Sequence, residues 1–250
     1  MRRYKYDLHV HSCLSPCGDD EMTPNNLVNM GALLGCEILA ITDHNSCKNA
    51  PAALEAGERA GILVIPGMEL CTKEEAHVVC LFETLAGAMA FDRYVSERIP
   101  PILNREKIFG RQLILNGEDE CVGQETRLLI TASSIGAGEV VALVKDLGGA
   151  AFPAHVDKSS YSLVAALGVL PKEAGFTAVE ITAGCDIPAF LKRQPEISGL
   201  PVIRDSDAHY LENMQESLGE IALPERSAKG VIHTINGVGE GRFIPFMGKG

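Results

Sequence analysis

The chain has 250 residues, 46% of them hydrophobic and 22% charged, a make-up that fits a folded globular protein and excludes a disordered tail, a fibre or a low-complexity polymer. Its 22 Lys and Arg face 33 Asp and Glu, and the resulting formal charge of −11 argues against non-specific grip on a nucleic-acid backbone. No apolar run reaches the ~18 residues of a membrane span, and MRRYKYDLHVH passes from a basic start into a strand pattern without an apolar signal core, so a cytoplasmic protein with no membrane partner is expected.

In chain order, short apolar runs alternate with helical stretches. Strands are predicted at 6–10 (YDLHV), 37–42 (EILAIT), 61–67 (GILVIPG), 77–82 (HVVCLF), 150–155 (AAFPAH), 178–182 (AVEIT) and 201–207 (PVIRDSD). The helix predicted within 23–36 opens with Thr23 as N-cap and Pro24 in its first position. The Ala-rich stretch at 49–61 ends in a Gly, as a helix should. Further helices are expected at 86–98, 104–115, 137–148, 159–167, 187–193 and 212–216. Strands that are continuously apolar belong to sheets covered by helices, and a parallel βα series of more than six units predicts a closed or nearly closed barrel. The segment from about 84 to 127 has no clear strand, and Pro100-Pro101 interrupts it; it is expected to be a helical elaboration beside the active-site mouth. The eight cysteines are scattered along the chain and read as free thiols, and Cys13 and Cys17 lack the second thiolate pair of a structural zinc knuckle.

Six of the seven histidines stand at ends of apolar runs beside Asp, Glu or another His. In DLHVH, His9 and His11 are two apart, so a strand sends both imidazoles to one face, where one ion can take both nitrogens. The following loop, SPCGDDEMTP, offers Cys17, Asp19 and Asp20. ITDHN places Asp43 and His44 at a strand exit, with Asp43 either a ligand or an orienting group. IPGMEL brings Glu69 out of a strand; a carboxylate can bridge two ions, whereas a neutral imidazole nitrogen has a single lone pair to give. His77 opens a strand in AHVV, and His155 ends one in FPAHVDK, with Asp157 and Lys158 just beyond. In RDSDAH, Asp207 and His209 share a face and Asp205 lies behind them. Their joint placement at strand termini points to a metal centre.

Taken in this order, DLHVH, TDHN, PGME, HVDK and SDAH resemble the PHP (polymerase and histidinol phosphatase) superfamily over essentially the whole chain. The resemblance implies an α/β fold, a distorted seven-stranded (βα) TIM-like barrel in a single domain over 1–250 with the helical insertion at about 84–127. It also implies three divalent ions, zinc, manganese or iron, at the carboxyl-terminal face. His9, His11, Glu69 and Asp207 would surround one ion, Glu69 would bridge to a second held by His77 and His155, and His44 and His209 would hold a third with an acid from the first loop. Counting back from Thr23-Pro24 selects Asp19 for that acid, while counting forward from His9 lands near Cys17; Asp19 is expected, because an anionic oxygen suits these metals better than a thiolate. Asp19, Glu69, Asp207 and His209 form the expected catalytic set. Asp7, Asp43 and Asp205 are expected to orient ligands, and His233 lies outside the pattern as a surface or packing residue.

The expected activity is hydrolysis of a phosphomonoester or of a short nucleotide or oligonucleotide phosphodiester, by in-line attack of a metal-bridging hydroxide at a trinuclear centre. Lys158, Arg193 and Arg204 follow strand ends and are candidate phosphate clamps. Aromatics make up only 5% of the chain, there is no Trp, and no basic stripe is present, all of which argues against tracking a long single strand. The expected partner is therefore a phosphorylated small molecule or short oligonucleotide. Two other classes remain open at this point: a metal-dependent amidohydrolase, whose barrels also begin with HxH and keep a strand-end Lys for carboxylation, and a non-catalytic metal-binding regulatory module, which would lack several ligands.

Overall fold

Strand β1 (Arg2–Val10) starts at the surface, with Arg2, Arg3 and Lys5 exposed, and is buried without interruption from Tyr6 onward. The computed structural model describes residues 1–216 and 219–245. After β1 the chain forms α1 (Pro24–Leu33), β2 (Ile38–Ile41), α2 (Ala50–Ala60), β3 (Leu63–Cys71), β4 (His77–Phe82) and α3 (Leu85–Ser96). It continues through α4 (Glu106–Phe109), β5 (Leu113–Leu115), β6 (Cys121–Gln124), α5 (Ala137–Asp146), β7 (Gly149–Pro153), α6 (Leu163–Leu167), β8 (Val179–Glu180), α7 (Ile187–Arg193) and β9 (Val202–Ile203). Then come β10 (Gly219–Leu223), α8 (Ala228–Ile235) and β11 (Arg242–Phe243). The expected helix ends are in place: Thr23 Oγ1 accepts from Asn26 N at 3.3 Å, Pro24 opens α1, and Gly61, at φ 72°, turns the chain out of α2.

Strands β1, β2 and β3 pair in parallel, but β4 runs antiparallel to both β3 and β7, a departure from the expected all-parallel series. An apolar run has no polarity of its own. The connection at 72–76 does, however: it is far shorter than the dozen or so residues a parallel crossover needs, so it can only close a hairpin. β8 and β9 form a parallel pair of their own, joined to the sheet at both sides by a few isolated bonds. Val156 N donates to Glu180 O at 2.9 Å on the β7 side, and on the β1 side Asp207 N donates to His9 O at 2.9 Å and His11 N to Ala208 O at 3.0 Å. Carboxylates complete that second seam, where Leu8 N donates to Asp205 Oδ1 at 2.6 Å and Ser206 N to Asp7 Oδ1 at 3.1 Å. Seven strands thus curl into a distorted barrel, and β10 and β11 extend it antiparallel beyond β1.

The period of two along the strands separates the core. Ala40, Val79, Leu81 and Phe152 belong to one buried cluster, whereas their neighbours Leu39, Val78, Cys80 and Ala151 pack in another with α1, α2, α3 and α5. Helix α8, for which the sequence reading assigned no element, packs Val231, Ile232 and Ile235 into the first cluster. It lies at the end where strands β7 and β8 begin, with Asn236 Nδ2 donating to Gly149 O at 3.1 Å and Thr177 Oγ1 to Ile235 O at 2.6 Å. His233 faces Glu83 there at 3.6 Å, far from the other histidines in the fold, as expected of a packing residue.

The stretch from 84 to 127 contains more than helices. The helix expected at 104–115 ends at Phe109, Gly110 at φ 77° turns the chain, and β5 and β6 then form a hairpin. Leu113 and Leu115 bury against Cys13, a tertiary contact that outweighs the local helical pattern. Asn49 fastens the hairpin by donating to Leu113 O at 3.0 Å and accepting from Leu115 N at 2.9 Å. Elsewhere, the helix expected at 159–167 is confined to α6, and that expected at 212–216 is a single 3-10 turn at Leu211–Asn213. Among the described residues no helix is long and apolar enough to cross a membrane.

The close approach of β4 and β7 yields a stability prediction. A Cβ at Gly149 would stand 2.5 Å from Leu81 O and 2.6 Å from Val144 Cγ1, whereas one at Gly138, on the exposed side of α5, meets nothing within 4 Å. Gly149→Ala is expected to cost ~1–3 kcal/mol in urea unfolding. Gly138→Ala should be neutral or stabilising by up to ~1 kcal/mol, and equal effects of the two would contradict the packing.

Candidate metal centre

His9 in β1 and His11 just past its end define the site. His9 Nδ1 lies 2.9 Å from Glu180 Oε2, and since a carboxylate only accepts, that nitrogen carries the proton and Nε2 presents a lone pair. His11 Nδ1 lies 2.9 Å from Ser15 Oγ, whose own proton goes to Asp43 Oδ1 at 2.7 Å, so His11 also donates from Nδ1 and presents Nε2. The two Nε2 atoms are 3.2 Å apart. Asp207 Oδ1 stands 3.4 Å and 3.3 Å from them, and Glu69 contributes one oxygen to each, at 3.1 Å and 3.3 Å.

Glu69 is the hub of the arrangement. Its Oε1 is also 2.9 Å from His77 Nδ1 and 3.4 Å from His155 Nε2, and its Oε2 is 2.9 Å from His44 Nδ1. None of these contacts has hydrogen-bond geometry: both carboxylate oxygens and His44 Nδ1 are buried without a hydrogen-bond partner. Ligands ~2.1 Å from one ion stand ~3.0–3.4 Å from each other, and that is the spacing observed here. Buried acceptors converging in this way require positive charge among them, so the donor set fits divalent cations.

Among the described residues, three groups of side chains converge closely enough to hold an ion: His9, His11, Glu69 and Asp207; His44, Glu69 and His77; and His11, His44 and His209. The first group has the membership expected from the sequence. In the second, His44 stands where His155 was expected, and His155 lies beside it, 3.4 Å from Glu69 Oε1 and 4.0 Å from Asp207 Oδ2. In the third, His11 stands in place of an acid from the first loop. Asp19 turns its carboxylate onto Glu21 N at 2.9 Å, while Cys17 lines the cavity above the ligands.

The electrostatics follow from burial and from Glu69. Burial lowers His44 to about 4 and, with the nearby His11, His209 to about 3, so both offer lone pairs. Burial also works against charge on Glu69, but His77, His9 and His44 outweigh it and hold the carboxylate well below its usual range. In His77 the same competition goes the other way: burial opposes the charged ring, and Glu69 raises it to about 10. Asp207 is likewise held low, by His9 and His11 against burial.

The backbone carries strain where the ligands leave their strands. His155 at φ 29° and Asp207 at φ 51° are left-handed without being glycine, as is Asn45 at φ 49°. Asn45 is secured by its side chain, which donates to Leu129 O at 2.6 Å and Thr131 O at 2.8 Å and accepts from Cys71 N at 2.9 Å. This tie positions Ile130 in the wall of a cavity of about 290 Å³ that opens over the ligands. The hairpin of the 84–127 stretch stands behind the loop that carries Cys17, and Ile130, just past that stretch, reaches the cavity instead.

Of the candidate phosphate clamps, Lys158 lines the cavity with its Nζ 2.6 Å from Asp207 Oδ2. Arg193 is exposed in the last turn of α7, and Arg204 reaches Cys185 O at 3.4 Å; among the described residues neither lines this cavity. Asp43 orients His11 at one remove, through Ser15, and also accepts from Ser12 N at 2.7 Å. Asp7 and Asp205 accept backbone N–H groups in the barrel seam. Sequence reasoning missed Glu180 and Ser15. Glu180 had left a signal, since a charge inside the apolar run AVEIT needs a buried partner.

The PHP domain pattern matches residues 7–149, more than half of the chain and the part that holds the ligands from His9 to His77. The chain belongs to the PHP domain family. A 5'-3' exoribonuclease of Salmonella typhimurium is 40% identical over 76 residues, 30% of this chain and 25% of that protein. A phosphoribosyl 1,2-cyclic phosphate 1,2-diphosphodiesterase of Eggerthella lenta is 41% identical over 64 residues, 26% of this chain and 23% of that protein. The matches thus span about a quarter of these relatives. A lesion-specific endonuclease from Pyrococcus furiosus shares the fold, with a TM-score of 0.71 at 18% identity over 97% of this chain and 58% of that one.

Loss of the group that fixes His9 tests the centre directly. Glu180 Oε2 holds His9 Nδ1 and also accepts from His155 N at 3.3 Å, so Glu180→Ala is expected to weaken metal affinity by ~10–100-fold, as read by competition with a chromophoric chelator. Unchanged affinity would mean that Glu180 does not set the ligand orientation.

Proposed function

We propose that this protein is a metal-dependent phosphoesterase that hydrolyses a phosphomonoester or a short nucleotide or oligonucleotide phosphodiester, with up to three divalent ions, zinc, manganese or iron. The observation that carries this reading is the buried Glu69 carboxylate, ringed by five imidazole nitrogens at 2.9–3.4 Å without a hydrogen bond to any of them. When bound, such ions supply Lewis acidity, which activates water and neutralises phosphate oxygens. His9, His11, Glu69 and Asp207 are the residues to hold one ion, and His44, His77, His155 and His209 complete the surroundings of the others.

The remaining groups bind and orient. Burial opposes the Lys158 ammonium, but Asp207 outweighs it and keeps the side chain charged, so a cation for phosphate oxygens stands at the cavity edge. The cavity, at about 290 Å³, has the size for one small substrate and supports short substrates over a long strand. The names of the two curated relatives, an exoribonuclease and a cyclic phosphate diphosphodiesterase, add support for phosphate esters of nucleosides or sugars. We read 1–250 as one catalytic domain elaborated by the 84–127 stretch, acting in the cytoplasm.

Glu69 is the position where this reading is most exposed. Glu69→Gln keeps the shape and removes the charge, leaving nearby cations without the anion between them. Relative to wild type and His77→Ala at saturating manganese, Glu69→Gln is expected to lose more than one ion per chain and ~100-fold in turnover on a panel of phosphomonoesters and short RNA. Three ions retained with near-normal turnover in Glu69→Gln would refute it, as would a wild-type enzyme whose activity survives chelation.

A further inference from the structure

Tyr161 is half-exposed yet held in a costly conformation beside the metal centre. Its φ of 54° lies in the left-handed region, which a bulky residue rarely enters and which persists only where the surroundings enforce it. They do so here. Asp157 accepts from Thr182 N at 2.8 Å and from Thr182 Oγ1 at 2.5 Å, Lys158 N donates to His155 O at 2.9 Å, and Ser162 Oγ donates to Lys158 O at 2.8 Å while capping α6. Tyr161 O itself accepts from His77 N at 2.9 Å. That bond uses the backbone alone and would be made by any residue, so it does not account for the ring.

The ring stacks on His77, centroids 5.1 Å apart and planes 23° from parallel, and it lines the cavity that opens over the ligands. It is 56% exposed, and Ile130 contributes apolar surface to the same cavity. Resting on the reading of the site as a phosphoesterase, we propose that Tyr161 is a specificity-determining platform: it stacks on a flat ring in the alcohol portion of the substrate while the phosphoryl group lies over the ligands near Lys158. The substrate class is then a nucleoside phosphate ester, not an aliphatic one. An aromatic face held rigid by its own loop gives stacking area with little entropy left to lose on binding.

Binding, read separately from turnover, tests this. Phosphonate analogues carry a P–C bond that is not hydrolysed, so the 5'-phosphonate of adenosine and methylphosphonate are compared by calorimetry on the metal-loaded protein. Tyr161→Gly removes the ring at a position whose backbone suits glycine, and Tyr161→Phe keeps the ring. Wild type and Tyr161→Phe are expected to bind the adenosine compound about 5- to 100-fold more tightly than Tyr161→Gly does, with methylphosphonate affinity and metal content alike in all three. A wild-type protein without preference for the adenosine compound would overturn the proposal. So would a Tyr161→Gly protein that keeps the preference, or one that loses both ligands together with its metal, since the ring would then be a prop for His77. If the preference is present but no phosphoester is hydrolysed, the assignment of the reaction fails and the platform stands.

Discussion

A single buried negative charge organises the carboxyl-terminal face of this barrel. Glu69 is 1% exposed, and an isolated carboxylate there would cost several kcal/mol in lost hydration. The chain surrounds it with imidazoles from β1, from the exits of β2 and β7 and from the start of β4, two of which, His9 and His11, are turned with their lone pairs inward by Glu180 and Ser15. Burial keeps His44 neutral, so it supplies an electron pair and no charge. Positive charge must balance the carboxylate: a proton does so on His77, which Glu69 raises to about 10, and divalent ions are the species that supply it to a set of ligands at these spacings.

The distortion of the barrel serves that centre. The candidate ligands stand in the last residues of their strands or beyond the strand ends, except His77, which begins one. Because β4 runs antiparallel to β3, its first residue pairs with Cys71 at the end of β3 and His77 comes within reach of Glu69. A parallel β4 would have placed His77 at the opposite end of the barrel. On the other side, the short pair β8 and β9 supplies Glu180 and leads to Asp207. Its seam with β1 is held by Asp7 and Asp205 where ladder bonds are few, which leaves the strand exits free to adopt the left-handed turns at His155 and Asp207.

Away from the ligands, the cavity is shaped by segments that are fastened from behind. The β5–β6 hairpin packs on the loop after β1, and Asn45 and Asn49, just past β2, tie in residues 129–131 and the hairpin respectively. Asp157 and Ser162 do the same for the loop that carries Lys158 and Tyr161. These loops are thereby preorganised and present side chains at fixed positions over the centre, as a site that must hold a small substrate near metal ligands requires.

The sequence by itself determined the strands that form the barrel, the helix caps, and the ligand types, because these rest on local periodicity, on turn chemistry and on histidines and acids at the ends of apolar runs. The membership of the first group, His9, His11, Glu69 and Asp207, was implied by the resemblance to the PHP superfamily, and spacing alone did not select it. Only the tertiary structure decided that β4 is reversed, that β5 and β6 form a hairpin where a helix was expected, and that α8 packs into the inner core. It also decided that Asp19 turns to its own loop while His11 joins His44 and His209, and that Glu180 and Ser15 set the two imidazoles. Each of these depends on which surfaces meet across long stretches of chain, and a buried charge chooses its partner by distance in the folded protein, which spacing along the sequence does not encode.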